Sequence, residues 1–504
     1  MQKWLIVLMT VVLVFGLVSP TLSHGPVSEK EESHVPFTVV FKSSTLPANA
    51  AEMVESLGGK VISSIPEIGV IHAEGSSDFA KNSLKASTIR SATPTLVQQR
   101  PDVKSIAHQS EPLKHEDTFE DATLFDMYQW DIQRLTNNGE TFAEHSGSHD
   151  VVVGVIDSGI DLNHPDVLKN LLPGSKNFVA PGGAFGVDKS ETGDVNDVQD
   201  RMGHGTHVSA SIAANGAMLG VAPNVGHKAY RVFGAEGGAQ SVWIMDAIVT
   251  AANDGVDVIN MSLGGIYSKG QVYYTDPVTG ERFRLGSDIA DYVAYQRAAR
   301  YAESKGTLIV AAAGNDGINA ANKKGLSDLA NEMYGQWGYE FQGASVYAPA
   351  NIPNVVTVSS TGPEDELALY STYGPGYVDV AAPGGNYAKY MQYLAEDRLD
   401  EYLDKSLIVH EFAFSAVPVV EYTRNEQGLI TDYTYAAPGY SWMVGTSMAA
   451  PKVSAMAALL FDEHENLTPR RAKVLLQQSA EPIGTGGYSK EFGHGLSTVY
   501  NLFQ

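Results

Sequence analysis

The run Asp150-Val151-Val152-Val153-Gly154-Val155-Ile156-Asp157 is apolar throughout its middle and ends in a carboxylate. A strand with one wet face alternates polar and apolar residues; this one does not, so both of its faces must be covered, as in a parallel sheet. The chain downstream supplies the cover. Val242 to Asn253 predicts an amphipathic helix, followed by the strand Asp257 to Ser262. Asp288 to Ser304 predicts a second helix, followed by the strand Thr307 to Ala312, and Val355 to Val358 predicts a further strand. This alternation predicts an α/β domain: a doubly wound, mostly parallel sheet with helices on both faces. In such sheets ligands gather at the carboxyl ends of the strands. Asp157 stands at one of those ends.

Composition narrows the classes. The chain has 504 residues, 43% of them hydrophobic, enough for a sizeable core. Its net charge of −24 excludes nucleic acid as a natural partner and suits solubility outside the cell. There is no cysteine, hence no disulfide, no thiol nucleophile and no cysteine metal site. Lys3, the apolar Trp4 to Val18 and the small residues of Thr21-Leu22-Ser23 predict a signal peptide over residues 1–23 and a secreted, extracellular protein. An uncleaved anchor is the alternative, but the apolar run is short for a membrane span. No second span and no anchoring tail is evident, so no stable membrane attachment is expected.

Residues 24–36 are polar and predict a disordered lead-in. From Phe37 the chain reads as strand, helix (Asn49 to Leu57), strand (Lys60 to Ile65), strand (Gly69 to Ala73), helix, and a last strand around Val103 to Ala107. That order predicts a small ferredoxin-like α+β unit over 37–110. Residues 111–126 are acidic and patternless and predict an exposed linker. The α/β domain then occupies 127–504.

Three polar residues stand where chemistry would be expected. Asp157 ends the apolar strand, His204 opens the small-residue helix of Gly203-His204-Gly205-Thr206-His207-Val208, and Ser447 lies in Gly445-Thr446-Ser447-Met448-Ala449-Ala450-Pro451, between a strand-like run and a helix. A serine needs an adjacent base to become a nucleophile, and histidine titrates in the right range. A buried carboxylate fixes the tautomer of that histidine. Aspartate, histidine, serine is the chain order of subtilisin. The stretches Val155 to Gly159 with His164-Pro165-Asp166, Gly203 to Val208, Gly445 to Pro451, and Ala311-Ala312-Ala313-Gly314-Asn315-Asp316-Gly317 together resemble the subtilisin-like serine peptidases of the subtilase family. The unit at 37–110, with its ending Arg100-Pro101-Asp102-Val103, resembles the inhibitory propeptide of that family.

The resemblance implies a serine endopeptidase made as a self-processing zymogen. Asp157 would orient, His204 would act as base and then acid, Ser447 would attack, and Asn315 would donate to the oxyanion. No cofactor is required for that chemistry. Ser262, Leu263 and Gly264 resemble the strand lining the first specificity pocket, and Arg231, Phe233, Gly234 and the glycines after them the opposite edge; an extended substrate would add as a strand between. The partners implied are a protein or peptide substrate and the chain's own propeptide as intramolecular inhibitor, on a monomer, with self-cleavage in the 108–130 region. His207 and His164 read as structural.

Asp166 matches a family calcium ligand, although the loop that would complete the site is short here, Ala214-Asn215-Gly216-Ala217-Met218. Asp188, Asp194, Asn196, Asp197 and Asp200 form an acidic loop that could hold structural calcium or simply be solvated. Three stretches exceed a minimal subtilisin-like chain: 266–286, read as a hairpin, 319–343, read as helical, and 386–440, read as a charged helix at Tyr390 to Lys405 plus strands at Leu407 to Phe414 and Ile430 to Tyr435. They are expected to wall the cleft. Insertions before the serine also occur in lantibiotic leader peptidases, and no residue decides that narrower assignment. Two other classes compete. A catalytically dead binding protein would have lost one of the four positions, and none is lost. An esterase of the α/β-hydrolase kind would carry Gly-x-Ser-x-Gly, which is absent around Ser447.

Overall fold

The structure, a computed structural model, describes residues 34–99, 104–106, 121–276, 279–286, 289–484 and 487–504. The expected signal peptide and most of the expected lead-in and linker lie outside these residues. Among the described residues no helix is long and apolar enough to cross a membrane.

Seven parallel strands form the central sheet, in the order Val380–Pro383, Val356–Thr361, Leu308–Ala312, Val258–Met261, Val152–Asp157, Gly226–Arg231, Lys176–Asn177. Successive side chains on a strand point to opposite faces. Val153, Val155, Val258 and Val310 belong to one hydrophobic cluster, with the helices His204–Ala213 and Thr446–Glu463. Ile156, Ile259, Met261, Ile309 and Ala311 belong to another, with the helices Ser241–Asn253 and Ala290–Ser304. The unbroken apolar run at 151–156 is thus explained: each face meets its own layer of helices.

The front residues fold as a four-stranded antiparallel sheet, in the order Lys60–Ile65, Val70–Gly75, Val35–Phe41, Ile89–Pro94, with helices Ala50–Ser56 and Ser77–Lys85. The β-α-β-β-α-β order is as expected, but its last strand is Ile89–Pro94. The expected strand near 103–107 belongs elsewhere: Lys104–Ile106 pairs antiparallel with Trp442–Val444. The front sheet is seated on the helix Ala290–Ser304. Thr38 Oγ1 donates to the fully buried Asp291 at 2.8 Å, and the Arg297 guanidinium donates to the carbonyls of Phe41, Ser43 and Ile68 at 2.7–2.9 Å.

The end of the expected linker is folded as well. Thr123–Tyr128 is helical, because Leu124 and Phe125 are apolar and buried, with the Leu124 N–H on Ala217 O at 2.8 Å. The first two insertions join: Arg282–Gly286, Gln271–Thr275 and Tyr339–Gln342 make a three-stranded sheet beside the helix Lys323–Tyr334. In the third, the expected helix at Tyr390 to Lys405 is broken into Ala388–Ala395 and Leu399–Asp404, with Asp397 at positive φ between them, and the expected strand at Leu407 to Phe414 begins as the short helix Ile408–Glu411, turning extended only from Ala413. A hairpin of Ala413–Arg424 and Ile430–Val444 follows and runs directly into Gly445.

Candidate active site

Asp157 is fully buried at the end of the central strand, and its Oδ1 lies 2.7 Å from His204 Nδ1. The same oxygen accepts the Ser158 N–H at 2.7 Å. His204 is the first residue of its helix, which approaches the strand end closely. The Gly205 N–H donates to Ser158 Oγ at 2.8 Å, and a Cβ at position 205 would stand 2.3 Å from the backbone oxygen of Gly159. Only glycine allows that approach, so it sets how near the imidazole comes to Asp157.

Ser447 is the second residue of the helix Thr446–Glu463, which contains Pro451. A proline within a helix cannot donate to the carbonyl four residues earlier. Here that carbonyl belongs to Ser447, and it accepts Ser262 Oγ instead, at 2.8 Å. Ser262 Oγ in turn receives Asn260 Nδ2 at 3.0 Å, and Asn260 Oδ1 receives Ser454 Oγ at 2.8 Å. This buried chain fastens the serine helix to the strand Val258–Met261. Asn315 is joined to the same helix. Its Oδ1 accepts the Thr446 N–H at 2.9 Å and Thr446 Oγ1 at 2.8 Å, and Thr446 Oγ1 accepts the Gly314 N–H at 3.1 Å.

The four expected residues thus fall into two joined pairs, Asp157 with His204 and Asn315 with the neighbour of Ser447, on helices that pack against each other. The expected contact between serine and histidine is not formed. The Ser447 hydroxyl donates to Ser262 O at 3.0 Å, and the buried His204 Nε2 has no hydrogen-bond partner among the described residues.

The expected substrate edges fare differently. Ser262, Leu263 and Gly264 follow the strand Val258–Met261, and Gly264 faces the carbonyl of Ala348, where a Cβ would lie at 3.2 Å. Arg231 is fully buried and clamped by Glu191 at 2.5 and 2.9 Å, and Phe233 lies in the core, so neither forms an edge. Gly234 begins the turn into the strand Gly238–Gln240, which pairs antiparallel with Val97–Gln99 of the front residues. A cavity of about 240 Å³, lined by Asp316, Ile318, Asn319, Asn322, Gly325 and Leu329, opens next to the Asn315 loop.

The expected calcium ligands are engaged by donors. The Asp166 carboxylate takes the N–H groups of Ala217 and Met218 at 2.9 and 3.4 Å and the Tyr440 hydroxyl at 2.8 Å. The shortened loop turns N–H groups, not carbonyls, toward Asp166, so a cation does not fit there. Asp200 takes the N–H groups of Met202, Gly203 and Thr206 and the hydroxyls of Ser158 and Thr206, all at 2.7–2.9 Å. Asp197 pairs with Arg201. Asp194 caps the Asn196 N–H at 3.0 Å. Asp188 remains distinct. It faces Glu236, which burial and then the Asp188 carboxylate push up to about 8.

His207 is wholly enclosed, with Nε2 3.3 Å from Ala413 O, and burial lowers its pKa to about 3. His164 Nε2 lies 3.0 Å from Gly439 O. Both histidines therefore hold the third insertion's hairpin, the structural role expected. Thr446, the oxygen chain from Ser262 to Ser454, and Lys452, whose buried Nζ pairs with Asp131 at 2.7 Å, join the site only through the fold. Only the proline at 451 signals any of these in the sequence, by freeing a carbonyl.

A seven-stranded parallel sheet bearing aspartate, histidine and serine, in that chain order, at its strand ends and helix starts defines a serine peptidase of the subtilisin type. Residues 148–495 match the subtilase family model (Peptidase_S8); the chain belongs to that family and is a serine protease. It is similar to the nisin leader peptide-processing serine protease of Lactococcus lactis subsp. lactis, 31% identical over 79% of this chain, although it spans only 53% of that protein's length. It is 32% identical to the epidermin leader peptide-processing serine protease of Staphylococcus epidermidis, over 76% of this chain and 75% of the relative. The crystal structure of the epidermin leader peptide processing serine protease from Staphylococcus aureus has a TM-score of 0.71 at 32% identity, covering 93% of this chain and 98% of that one.

Proposed function

We propose that the protein is an exported serine endopeptidase of narrow specificity, made as a precursor, that removes leader segments from precursor peptides. The observation that carries the catalytic reading is the 2.7 Å bond between Asp157 and His204 beneath a serine at a helix start. In this reading Asp157 holds Nδ1–H of His204, so that Nε2 faces the cleft as a base. The Ser447 hydroxyl turns from the Ser262 carbonyl to Nε2, gives up its proton and attacks the substrate carbonyl. The Asn315 amide and the Ser447 N–H, in a helix first turn without preceding carbonyls, receive the oxyanion. His204 then returns the proton to the leaving amine, and water repeats the sequence on the acyl-enzyme.

Two features support the precursor reading. Val97–Gln99 lies as an antiparallel strand on the edge Gly238–Gln240, where an extended substrate would pair, and Lys104–Ile106 pairs with the strand leading into Gly445. Both pairings support a chain that runs along the cleft on either side of residues 100–103, upstream of the cleavage region expected at 108–130. Leader processing is supported by the nisin and epidermin relatives and by the hairpin inserted before the serine.

Fluorophosphonate labelling of the secreted protein, with casein and a peptide library as substrates, tests both levels. Labelling, cleavage and loss of the front unit should disappear together in Ser447→Ala. Library cleavage at a few related sequences supports leader processing. Cleavage across many sequences would leave a general protease.

A further inference from the structure

Beside the cleft edge, two carboxylates from separate parts of the chain face each other. Asp188 belongs to the acidic loop before His204, and Glu236 to the turn leading into Gly238–Gln240. Oxygens of Asp188, Glu191 and Glu236 lie within 4.8 Å of one another. Glu191 is fully engaged: its oxygens take Arg231 at 2.5 and 2.9 Å, Arg201 at 2.8 Å and the Ala235 N–H at 3.1 Å. Together with Asp197, which pairs with Arg201, it balances both guanidinium groups.

Among the described residues, Asp188 and Glu236 are left without a counter-charge. One oxygen of each is held: Asp188 Oδ1 by the Ser190 N–H and hydroxyl at 2.9 and 2.6 Å, Glu236 Oε1 by the Ala184 N–H at 2.9 Å. The other two, Asp188 Oδ2 and Glu236 Oε2, are buried with no hydrogen-bond partner among the described residues, on a residue only 1% exposed in the case of Asp188. Two bare carboxylate oxygens do not stay buried together without something positive between them. Gly183 keeps the space clear, since a Cβ there would stand 2.0 Å from Glu236 Oε1.

We propose that Asp188 and Glu236 bind a divalent cation, calcium by the hardness of the oxygen ligands, and that the ion ties the acidic loop to the cleft edge. Two carboxylates supply its two charges, and water entering on the partly exposed Glu236 side completes a shell of six to eight oxygens. A site with so few protein ligands belongs with the weak extracellular class, about 10⁻⁴–10⁻³ M. It stands whether or not Ser447 is the nucleophile.

The test uses the full chain carrying Ser447→Ala, stripped with chelator and titrated with calcium chloride while the unfolding temperature is followed. The expected result is a rise in Tm, half complete at about 10⁻⁴–10⁻³ M calcium, that is lost in both Asp188→Asn and Glu236→Gln. A parent chain whose Tm ignores calcium overturns the proposal. So does an equal rise in both variants, which would place the ion elsewhere. A Glu236→Gln chain that is more stable than its parent in chelator, and no less stable than the parent with calcium, would show that the pair shares a proton instead.

Discussion

Thr446 is a small residue with a large positional effect. Its N–H and hydroxyl both hold the oxygen of the Asn315 amide, which leaves the donating end of that amide a single direction to point. A donor aimed where charge develops is worth more than one that must reorient first. Thr446→Val keeps the shape and removes the hydroxyl. It should lower kcat about tenfold, roughly 1.4 kcal/mol of barrier, with little change in KM, and Thr446→Ser should restore it. Asn315→Ala should cost more, on the order of the 10²–10³ in kcat found for the corresponding donor in subtilisin. Steady-state kinetics on one peptide substrate separates the three. Asn315 was legible from its motif, but Thr446 was not. It sits beside Ser447, and nothing in its neighbours says that its hydroxyl faces inward.

At the scale of elements, the serine helix is held by more than its apolar face. Lys452 is fully buried; its Nζ meets Asp131 at 2.7 Å and donates to Pro383 O and Met448 O at 2.9 Å. Removing one partner strands the other charge in the core. Lys452→Met should therefore destabilise by about 3–5 kcal/mol, and adding Asp131→Leu should recover much of that loss. Urea midpoints on the Ser447→Ala background measure both. The hairpin Ala413–Val444 is held to the histidine side of the site, by His164, His207 and the Tyr440–Asp166 contact. Shortening its tip, between Val420 and Tyr435, should leave folding intact and broaden the set of library peptides cleaved. An unchanged cleavage profile would remove the hairpin from the specificity argument.

Across the whole molecule, stability should depend on pH through enclosed histidines. Burial lowers His207 to about 3 and His227 and His72 to about 4. The unfolded chain takes up these protons near the ordinary 6.5, and the folded chain only near 3–4. The folded state thus binds fewer protons within that window, and stability rises with pH there. The contribution is complete above about 6.5 and is lost as pH falls toward 4 and then 3. His227→Gln, which keeps a donor for Val167 O, should flatten the fall in urea midpoint between pH 7 and 4.5. An identical pH profile in the variant would show that His227 does not carry it.

Much of this protein was decided locally. The apolar run ending in Asp157 dictated a two-faced parallel strand because no residue in it tolerates water. The small residues around His204 and Ser447 marked helix starts, because only they let a helix come close to a strand end. What local pattern could not settle were pairings between distant segments. Lys104–Ile106 left the front sheet for the strand before Gly445, Arg231 turned inward to Glu191 rather than out to a substrate, and Asp166 met N–H groups instead of an ion. Each of these depends on which charged or hydrogen-bonding group arrives from tens or hundreds of residues away. A carboxylate or guanidinium in a sequence does not carry its partner with it; only the folded chain supplies one.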